Sequence, residues 1–534
     1  MLKHLVGRVP YTLAGTASQQ RRNRGPSLLA NVCKGELGLR TLANGATIGR
    51  PHVHKGVFMH QALPRRPRLP RDVEGRARGA RRTVPAVLTA TAVAIALAAC
   101  GPAVTAGGSG ATGTASSSSN PDQLQAPSDA NPSGSITIWD RSGDLYNVFD
   151  AAIAAFNKEY PNIKVNHQAV DINAKLQNTL ITGSDVPDGV FLDDALVAGY
   201  SDYLWDLSGV LKPYVKDIAK QKVDVSTVKG GVYGVPFDLD PGLLFYNDTA
   251  LQKAGVDATK IQTYDDLVAA AKQYKAAVPD AKPIHLEQTG FLGQLQLEMY
   301  ASQQGTSLAD ADGKLRLDSP AYKQILGWLD SVQKQGLGTR AEYLSQSDVG
   351  ALDSAKEVFY PWSIWFDFAP EQQLKTTKGD WRAMPLPAWN AGGARSGAMG
   401  GSSFVLPKAG KNSQLAWLFY QFLMFDPAGY TAVYGPNSVY PNGLDTSIPA
   451  YKPAADPAKP LFKPSPALGN QDLWKTAIEA GDQIPGGTPI PKWWAGAVDY
   501  LGSNVQKMLD GSMTPQQVID QSTADIQKNL VDRQ

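Results

Sequence analysis

An α/β body divided into two lobes is what the sequence predicts downstream of residue 133, and three observations predict it. Short β-branched runs alternate with amphipathic helical stretches from Ser135 onward, the pattern of βαβ units in a mostly parallel sheet with helices on both faces. At about 400 residues the body is long enough for more than one hydrophobic core, hence for two lobes or domains. No cysteine follows Cys100, so the fold must rest on apolar burial and not on internal disulfides.

The elements follow in order. SITIWD (Ser135 to Asp140) is a β-branched strand run. In NVFDAAIAAFNKEYPN the residues Val148, Phe149, Ile153 and Phe156 recur at helical spacing. IKVNHQAV reads as a second strand, INAKLQNTLITG as a helix ending at Gly183, and DGVFLDD as a third strand. Two strand-like runs then enclose DLDPG (Asp238 to Gly242), a helix starts after Asn247, and TYDDLVAAAKQYKAA is a helix with Thr263 as its cap and an acidic first turn. In open α/β sheets ligands bind beyond the carboxyl ends of the strands. That rule selects Trp139, Asp140 and Arg141 after the first strand, and Asp193 and Asp194 after the third. Strand-end aspartates also serve as plain helix caps.

Upstream of this body the chain changes character. VPAVLTATAVAIALAA (Val84 to Ala99) is a 16-residue apolar run behind the basic stretch RRPRLPRDVEGRARGARR, shorter than the ~20 residues of a spanning helix and patterned as a secretory signal. Its end, LAAC, resembles the lipobox of bacterial lipoproteins, in which the chain is cut and the cysteine carries lipid. That makes Cys100 a membrane tether, against the plainer reading of an ordinary signal with an incidental cysteine. Residues 100–133 are rich in Gly, Ser, Ala and Pro and are expected to form a flexible leash. Residues 1–82 hold Cys33, four of the six His and many Arg without hydrophobic period. They are expected to be an unstructured extension arising from an upstream start, with Met59 as the alternative start; the competing reading is a basic arm for nucleic acid.

Charge is therefore counted on either side of Cys100. Residues 1–99 hold 17 Lys and Arg against 3 Asp and Glu, leaving 34 against 46, a net of −12, for the rest. An acidic body argues against nucleic acid as partner and suits an exported protein. No metal-ligand spacing, G-x-S-x-G, Walker or G-x-G-x-x-G motif occurs in the body, so neither cofactor nor metal is expected.

Eight segments in order, SITIWD, PDGVFLDD, YGVPFDLDPGLLFYNDTALQKAGVD, TYDDLVAAAKQY, SAKEVFYPWSIW, DWRAMPLP, MGGSSFVLPKAGKN and MTPQQVIDQSTADIQKNL, resemble the family-one extracellular solute-binding proteins of ABC importers, the group that includes maltose-binding proteins. The resemblance spans about residues 134 to 530. It implies a type II periplasmic-binding-protein fold, two α/β lobes joined by three chain crossings. Those crossings would lie near Asp238–Gly242, Gly400–Ser403 and Tyr440–Gly443, giving a first lobe of residues 134–239 and 401–440 and a second of 240–400 and 441–534. It also implies a lipid-anchored monomer outside the cytoplasm that hands a carbohydrate to a membrane permease and performs no chemistry of its own.

Carried onto this chain, Asp193 and Asp194 stand where the family often sets a carboxylate against sugar hydroxyls. Asp240, with Asp238 beside it at the first crossing, matches an acidic ligand contact. Trp362 of Pro361-Trp362 matches an indole facing the sugar, Trp493 or Trp494 a second stacking aromatic, and Gly400, Gly401 and Ser402 a segment whose backbone approaches ligand. Trp139 and Trp365 align less closely. Leu192 before the paired aspartates, and DLDPG, depart from the maltose-binding pattern, so maltose itself is not implied.

These residue types suit a sugar because a carboxylate accepts two hydroxyl hydrogens with charge-assisted strength, while a planar aromatic covers the C–H face. All 11 Trp follow Cys100; Trp205, Trp328 and Trp417 sit at core spacings, whereas Trp362, Trp365, Trp493 and Trp494 sit in Pro/Gly-rich contexts. Three rivals remain. A glycosidase would use Asp193 with Asp194, or Asp238 with Asp240, as acid and base, yet adjacent strand residues point to opposite faces. A sensor subunit would keep the fold and present its ligand to a signalling partner. A binder of peptides, polyamines or organophosphates would, for an anion, need several cations near the strand ends, where only Arg141 is in view.

Overall fold

The computed structural model describes residues 121–533 except 142, 289, 488 and 489. Cys100, the signal-like run and the extension before it lie outside the described residues. In chain order the first lobe begins with β1 (Gly134–Asp140), α1 (Asp144–Glu159), β2 (Ile163–Ala169), α2 (Ile172–Thr182) and β3 (Gly189–Asp193). It continues through α3 (Asp194–Tyr200), α4 (Ser208–Leu211), α5 (Lys220–Val225), the short hairpin β4 (Thr227–Val228) and β5 (Gly231–Val232), and β6 (Val235–Pro236). After a two-residue strand β7 (Asp238–Leu239) the chain enters the second lobe. That lobe takes β8 (Gly242–Asn247), α6 (Asp248–Lys253), α7 (Tyr264–Ala277), β9 (Ile284–Glu287), α8 (Gly290–Ser302), α9 (Pro320–Lys334), β10 (Gly338–Ala341), α10 (Gln346–Asp353), β11 (Phe359–Ser363) and β12 (Trp381–Pro385). It returns to the first lobe for β13 (Ser402–Val405), α11 (Ser413–Phe425) and α12 (Pro427–Tyr434), crosses at β14 (Ile448–Pro449), and ends with α13 (Leu473–Gly481), α14 (Trp494–Leu509) and α15 (Pro515–Asn529).

Two five-stranded sheets result, ordered β2-β1-β3-β13-β6 and β10-β9-β11-β8-β12. The expectation of mostly parallel sheets needs correcting, because both are mixed. β1 runs parallel to β2 and β3, but β13 is antiparallel to β3 and β6; β9, β10 and β11 are parallel, while β8 opposes both β11 and β12. The opposed strands sit next to passages between lobes, where chain arriving from the other lobe enters the sheet without a βαβ crossover to fix its direction.

Helix signals behave as their chemistry dictates. Thr263 forms a capping box with Asp266 at the start of α7, and Gly183 ends α2 in the left-handed conformation at φ 64. The first lobe buries an aromatic cluster in which Phe149 meets Phe191, Phe237 and Phe404 edge to face at 5.1–5.3 Å; the second packs Tyr264, Tyr300, Trp328 and Trp389 in the same manner.

The strand pair of β7 with β14 lies between the sheets. Tyr440 packs on the first lobe's core and Leu444 belongs to it, so the third crossing falls after Leu444 and not at Tyr440–Gly443. Residues 121–133, expected to belong to a flexible segment, lie partly against the first lobe. Leu124 is buried, and its N–H donates to the Asp206 carbonyl at 2.9 Å, tying residues before 134 to the first lobe. Among the described residues no helix is long and apolar enough to cross a membrane.

Candidate functional site

Between the two lobes lies an open cleft lined by residues of both, the kind of place where small-molecule sites occur. Its first-lobe wall is α3 and α5, its second-lobe wall α8, the segment 306–309 and the loop leading to Trp494, and its floor the first two crossings at Leu239–Asp240 and Ala398–Gly400. Most of the lining is aliphatic. The charged groups that converge on it are Asp194, Lys222, Asp240 and Glu298, joined by the polar side chains of Gln221, Ser302, Thr306 and Ser307, with Trp494 on the far wall.

Consecutive aspartates separate at the end of β3. Asp193 holds the position before α3 but caps nothing with its side chain; its carboxylate takes the Arg141 guanidinium at 2.5 Å. Arg141 also donates to the Ser402 hydroxyl at 3.0 Å, lies 4.9 Å over the Phe191 ring, and borders with Asp193 a second cavity of about 670 Å³. Asp194, the first residue of α3, turns instead toward the inter-lobe cleft and is buried.

There Asp194 meets the residue that sequence reasoning missed. The Lys222 ammonium, 3% exposed, donates to the Asp194 carboxylate and, at 3.2 Å, to the Ser402 carbonyl, and stands 3.6 Å from Asp238. The Ser403 hydroxyl completes Asp194 at 2.6 Å and the Ser402 N–H completes Asp238 at 2.7 Å. Gly401, at φ 101, is required here, because a Cβ would sit 2.7 Å from both the Asp194 carboxylate and the Lys222 ammonium. Burial alone would lower the Lys222 pKa, but Asp194 and Asp238 outweigh it and raise it. Burial raises Asp238, an effect Lys222 partly reverses.

Asp240 is the odd member. It is 6% exposed, one carboxylate oxygen has no hydrogen-bond partner among the described residues, and burial followed by repulsion from Asp238 pushes its pKa well above the usual carboxylate range. A buried, unsatisfied acceptor on a cleft wall is costly alone and is relieved by a ligand that donates to it. Opposite, Glu298 accepts from Trp494 Nε1 at 3.3 Å, the Tyr322 hydroxyl at 3.1 Å and the Leu308 N–H at 3.3 Å. Burial raises its pKa to about 7, against the pull of those donors.

The tryptophans sort clearly. Trp494 lines the cleft while Trp493 is packed in the second lobe's core. Trp362, expected at the sugar, is wholly buried: it stacks on Tyr343 at 5.3 Å and meets His285 and Trp365 edge on, because its strand β11 is central in its sheet and the side chain points into the layer beneath. Trp365 is half-buried, donates to the Met399 carbonyl at 3.4 Å, and so sits beside the second crossing. Trp139 is buried in an apolar cluster with Ile172 and Leu176, its indole N–H on Gln168 at 3.2 Å. Asp140 is wholly buried, accepting the Arg141 N–H at 2.7 Å and facing His167 at 3.5 Å; neither Trp139 nor Asp140 lines the inter-lobe cleft.

The lobes also touch at the rim. Lys492 from the second lobe bonds Asp202 of the first at 2.6 Å, and α3 packs against α14.

Comparison with known proteins gives consistent results. The model of the bacterial extracellular solute-binding protein family matches residues 140–430. An arabinooligosaccharide-binding protein of Bacillus subtilis is 26% identical over 312 residues, 54% of this chain and 68% of that protein. A lactose-binding protein of Rhizobium radiobacter is 24% identical over 373 residues, 66% of this chain and 83% of its own length. Among solved structures, the sugar-binding protein MalE of Xanthomonas citri has a TM-score of 0.61 at 22% identity, covering 75% of this chain and 98% of its own. The GacH receptor of Streptomyces glaucescens has 0.59 at 20%, covering 75% and 99%. At those identities the structural likeness establishes the two-lobed fold.

Proposed function

This chain belongs to the bacterial extracellular solute-binding protein family, and from that premise we propose that it binds a neutral carbohydrate, an oligosaccharide, between its lobes and delivers it to the permease of an ABC importer. The single observation that carries the reading is Asp240: a buried carboxylate oxygen without a donor among the described residues, on the floor of a cleft in which Asp194, Lys222 and Glu298 are already paired. A sugar hydroxyl supplies the missing donor with charge-assisted strength. Trp494 and the aliphatic lining cover the C–H face of the ring. The sugar relatives found by comparison, for arabinooligosaccharides and lactose, bind ligands of this class.

In this account the three crossings act as hinges, with Gly400 and Gly401 at φ 84 and 101 supplying dihedrals that other residues adopt only under strain. Ligand binds the open cleft, and its greater affinity for the closed form shifts the population toward closure. The Lys492–Asp202 contact belongs to that closed state. In this reading closure, not chemistry, is the output: Asp193 and Asp194 face different cavities, and Asp194 and Asp238 share one lysine, so neither set serves as a free acid and base flanking one bond. An anionic ligand is disfavoured, since three carboxylates surround the one ammonium facing the cleft. A lipid on Cys100 would keep this monomer near the permease.

The test is thermal unfolding against a panel of neutral mono- and oligosaccharides, amino acids and phosphorylated polyols. A ligand at 100 times its Kd stabilises the fold by about 2.7 kcal/mol. Stabilisation by a neutral sugar supports the reading, and stabilisation only by a charged ligand refutes it.

A further inference from the structure

Away from the cleft, three carboxylates meet where the second lobe touches the third crossing. Asp367 ends the turn that follows β11, Glu371 lies in a single-turn π-helix, Ala369–Gln373, and Asp445 lies between Leu444 of the first core and β14. One oxygen from each lies within 4.8 Å of the others. Asp367 is 0% exposed, and its carboxylate oxygens receive no hydrogen bond from any donor outside the cluster, facing only the Asp445 carboxyl. Among the described residues no Lys, Arg or His forms an ion pair with any of the three; the Lys378 ammonium donates to the Glu371 carbonyl at 2.9 Å and its charge favours ionised Glu371 without contacting the carboxylate, and Glu371 itself accepts from the Ser465 hydroxyl. Such a group cannot stay triply ionised in the protein interior without a counter-charge.

We propose that Asp367, Glu371 and Asp445 form a binding site for a hard divalent cation of the calcium class. The donors are all oxygen, which selects calcium or magnesium over thiophilic or imidazole-seeking metals. Three oxygens all within 4.8 Å of one another can share one calcium ion, whose ligands sit at ~2.4 Å. Magnesium, at ~2.1 Å, demands a tighter cage. Half-buried Glu371 gives the ion its route from solvent, and an ion held there ties the second lobe to the third crossing. Sequence reading gave no hint of the site because Asp445 is far along the chain from Asp367 and Glu371. The alternative is neutralisation by protons: burial raises Asp367 well above its usual range and Asp445 to about 7.

The experiment uses the intact chain stripped with chelator at pH 8. Added calcium at 100 times its Kd should raise the Tm by about 3 °C for a body of this size, and terbium should bind with luminescence sensitised by tryptophan and be displaced by calcium. Asp445→Asn should abolish both signals; Glu371→Gln, at the less buried position and so more certain to fold, should weaken both at least tenfold in calcium requirement. The proposal is overturned if calcium shifts neither the Tm nor terbium luminescence while the stripped protein gains stability on lowering the pH from 8 to 5, since protons alone then neutralise the cluster. Calcium stabilisation that survives in both variants overturns it equally, because the ion would then sit elsewhere.

Discussion

Replacing Lys222 with methionine keeps the aliphatic stem and deletes the cation that contacts Asp194 and Asp238 directly. Removing one partner of a buried ion pair costs about 3–5 kcal/mol, because the other charge is left buried and alone. For a body of about 400 residues the unfolding entropy is roughly 0.8 kcal/mol/K near 60 °C, so the Tm should fall by about 4–6 °C. The loss depends on pH with a definite sign. Burial already raises the Asp238 pKa and Lys222 pulls it back; in the variant that pull is gone, and the folded-state value rises further above the unfolded one of about 3.9. The folded state then binds more protons than the unfolded one, and stability declines as pH rises through that window. Differential scanning calorimetry at pH 5 and pH 8 should find the larger penalty at pH 8, and Asp194→Asn added to Lys222→Met should restore part of it. A Tm change under about 1 °C at both pH values, or a penalty that grows on acidification, would refute the electrostatic reading of the cleft wall.

Other consequences follow from the same geometry. Trp362→Ala should lower the Tm by about 4–6 °C, the scale of a large core truncation at 3–5 kcal/mol, and Trp362→Tyr, which keeps most of the packing, should leave sugar affinity within about twofold; a tenfold loss in Trp362→Tyr would put that indole at the ligand after all. Because burial holds Glu298 at about 7, the folded state retains a proton that the unfolded state releases near 4.3, so this group's stabilising contribution is lost as pH rises toward and through 7; Glu298→Gln should flatten the Tm between pH 5 and 8, and an unchanged slope would remove Glu298 from the account. Lys492→Ala breaks the exposed rim pair, worth about 0.2–1 kcal/mol, and should weaken sugar binding by no more than about fivefold through faster release; a greater loss would make that lysine a direct ligand contact.

Local chemistry carried most of the secondary structure. β1, β2 and β3, α2 with its glycine stop, and the Thr263-capped α7 all lie where β-branching, helical spacing and capping put them. Strand direction did not follow from periodicity, because β13 and β8 owe their orientation to the lobe from which the chain arrives. Of the residues lining the cleft, Asp194 came from the strand-end rule, Asp240 from the family resemblance, and Trp494 from the resemblance together with its Pro/Gly context, while the choice between Trp493 and Trp494 needed the packing of α14. Lys222 was invisible, being one of two lysines in AKQKVDV, with nothing local to show that α5 buries it. Glu298 did leave a signal: it is the single charged residue in the otherwise apolar and amide-rich α8, which is where a buried acid with a task should be sought. Trp362 misled because resemblance placed it by motif, whereas a central strand buries both its faces.

The most direct test is isothermal titration calorimetry of the intact chain with neutral oligosaccharides, comparing the wild type with Asp240→Asn. The account predicts saturable 1:1 binding of one sugar class with a negative heat-capacity change from apolar burial. It also predicts an affinity about 10- to 100-fold lower in the variant, the worth of a hydrogen bond to a charged group. Binding confined to an anion, or sugar binding untouched by Asp240→Asn, would contradict it.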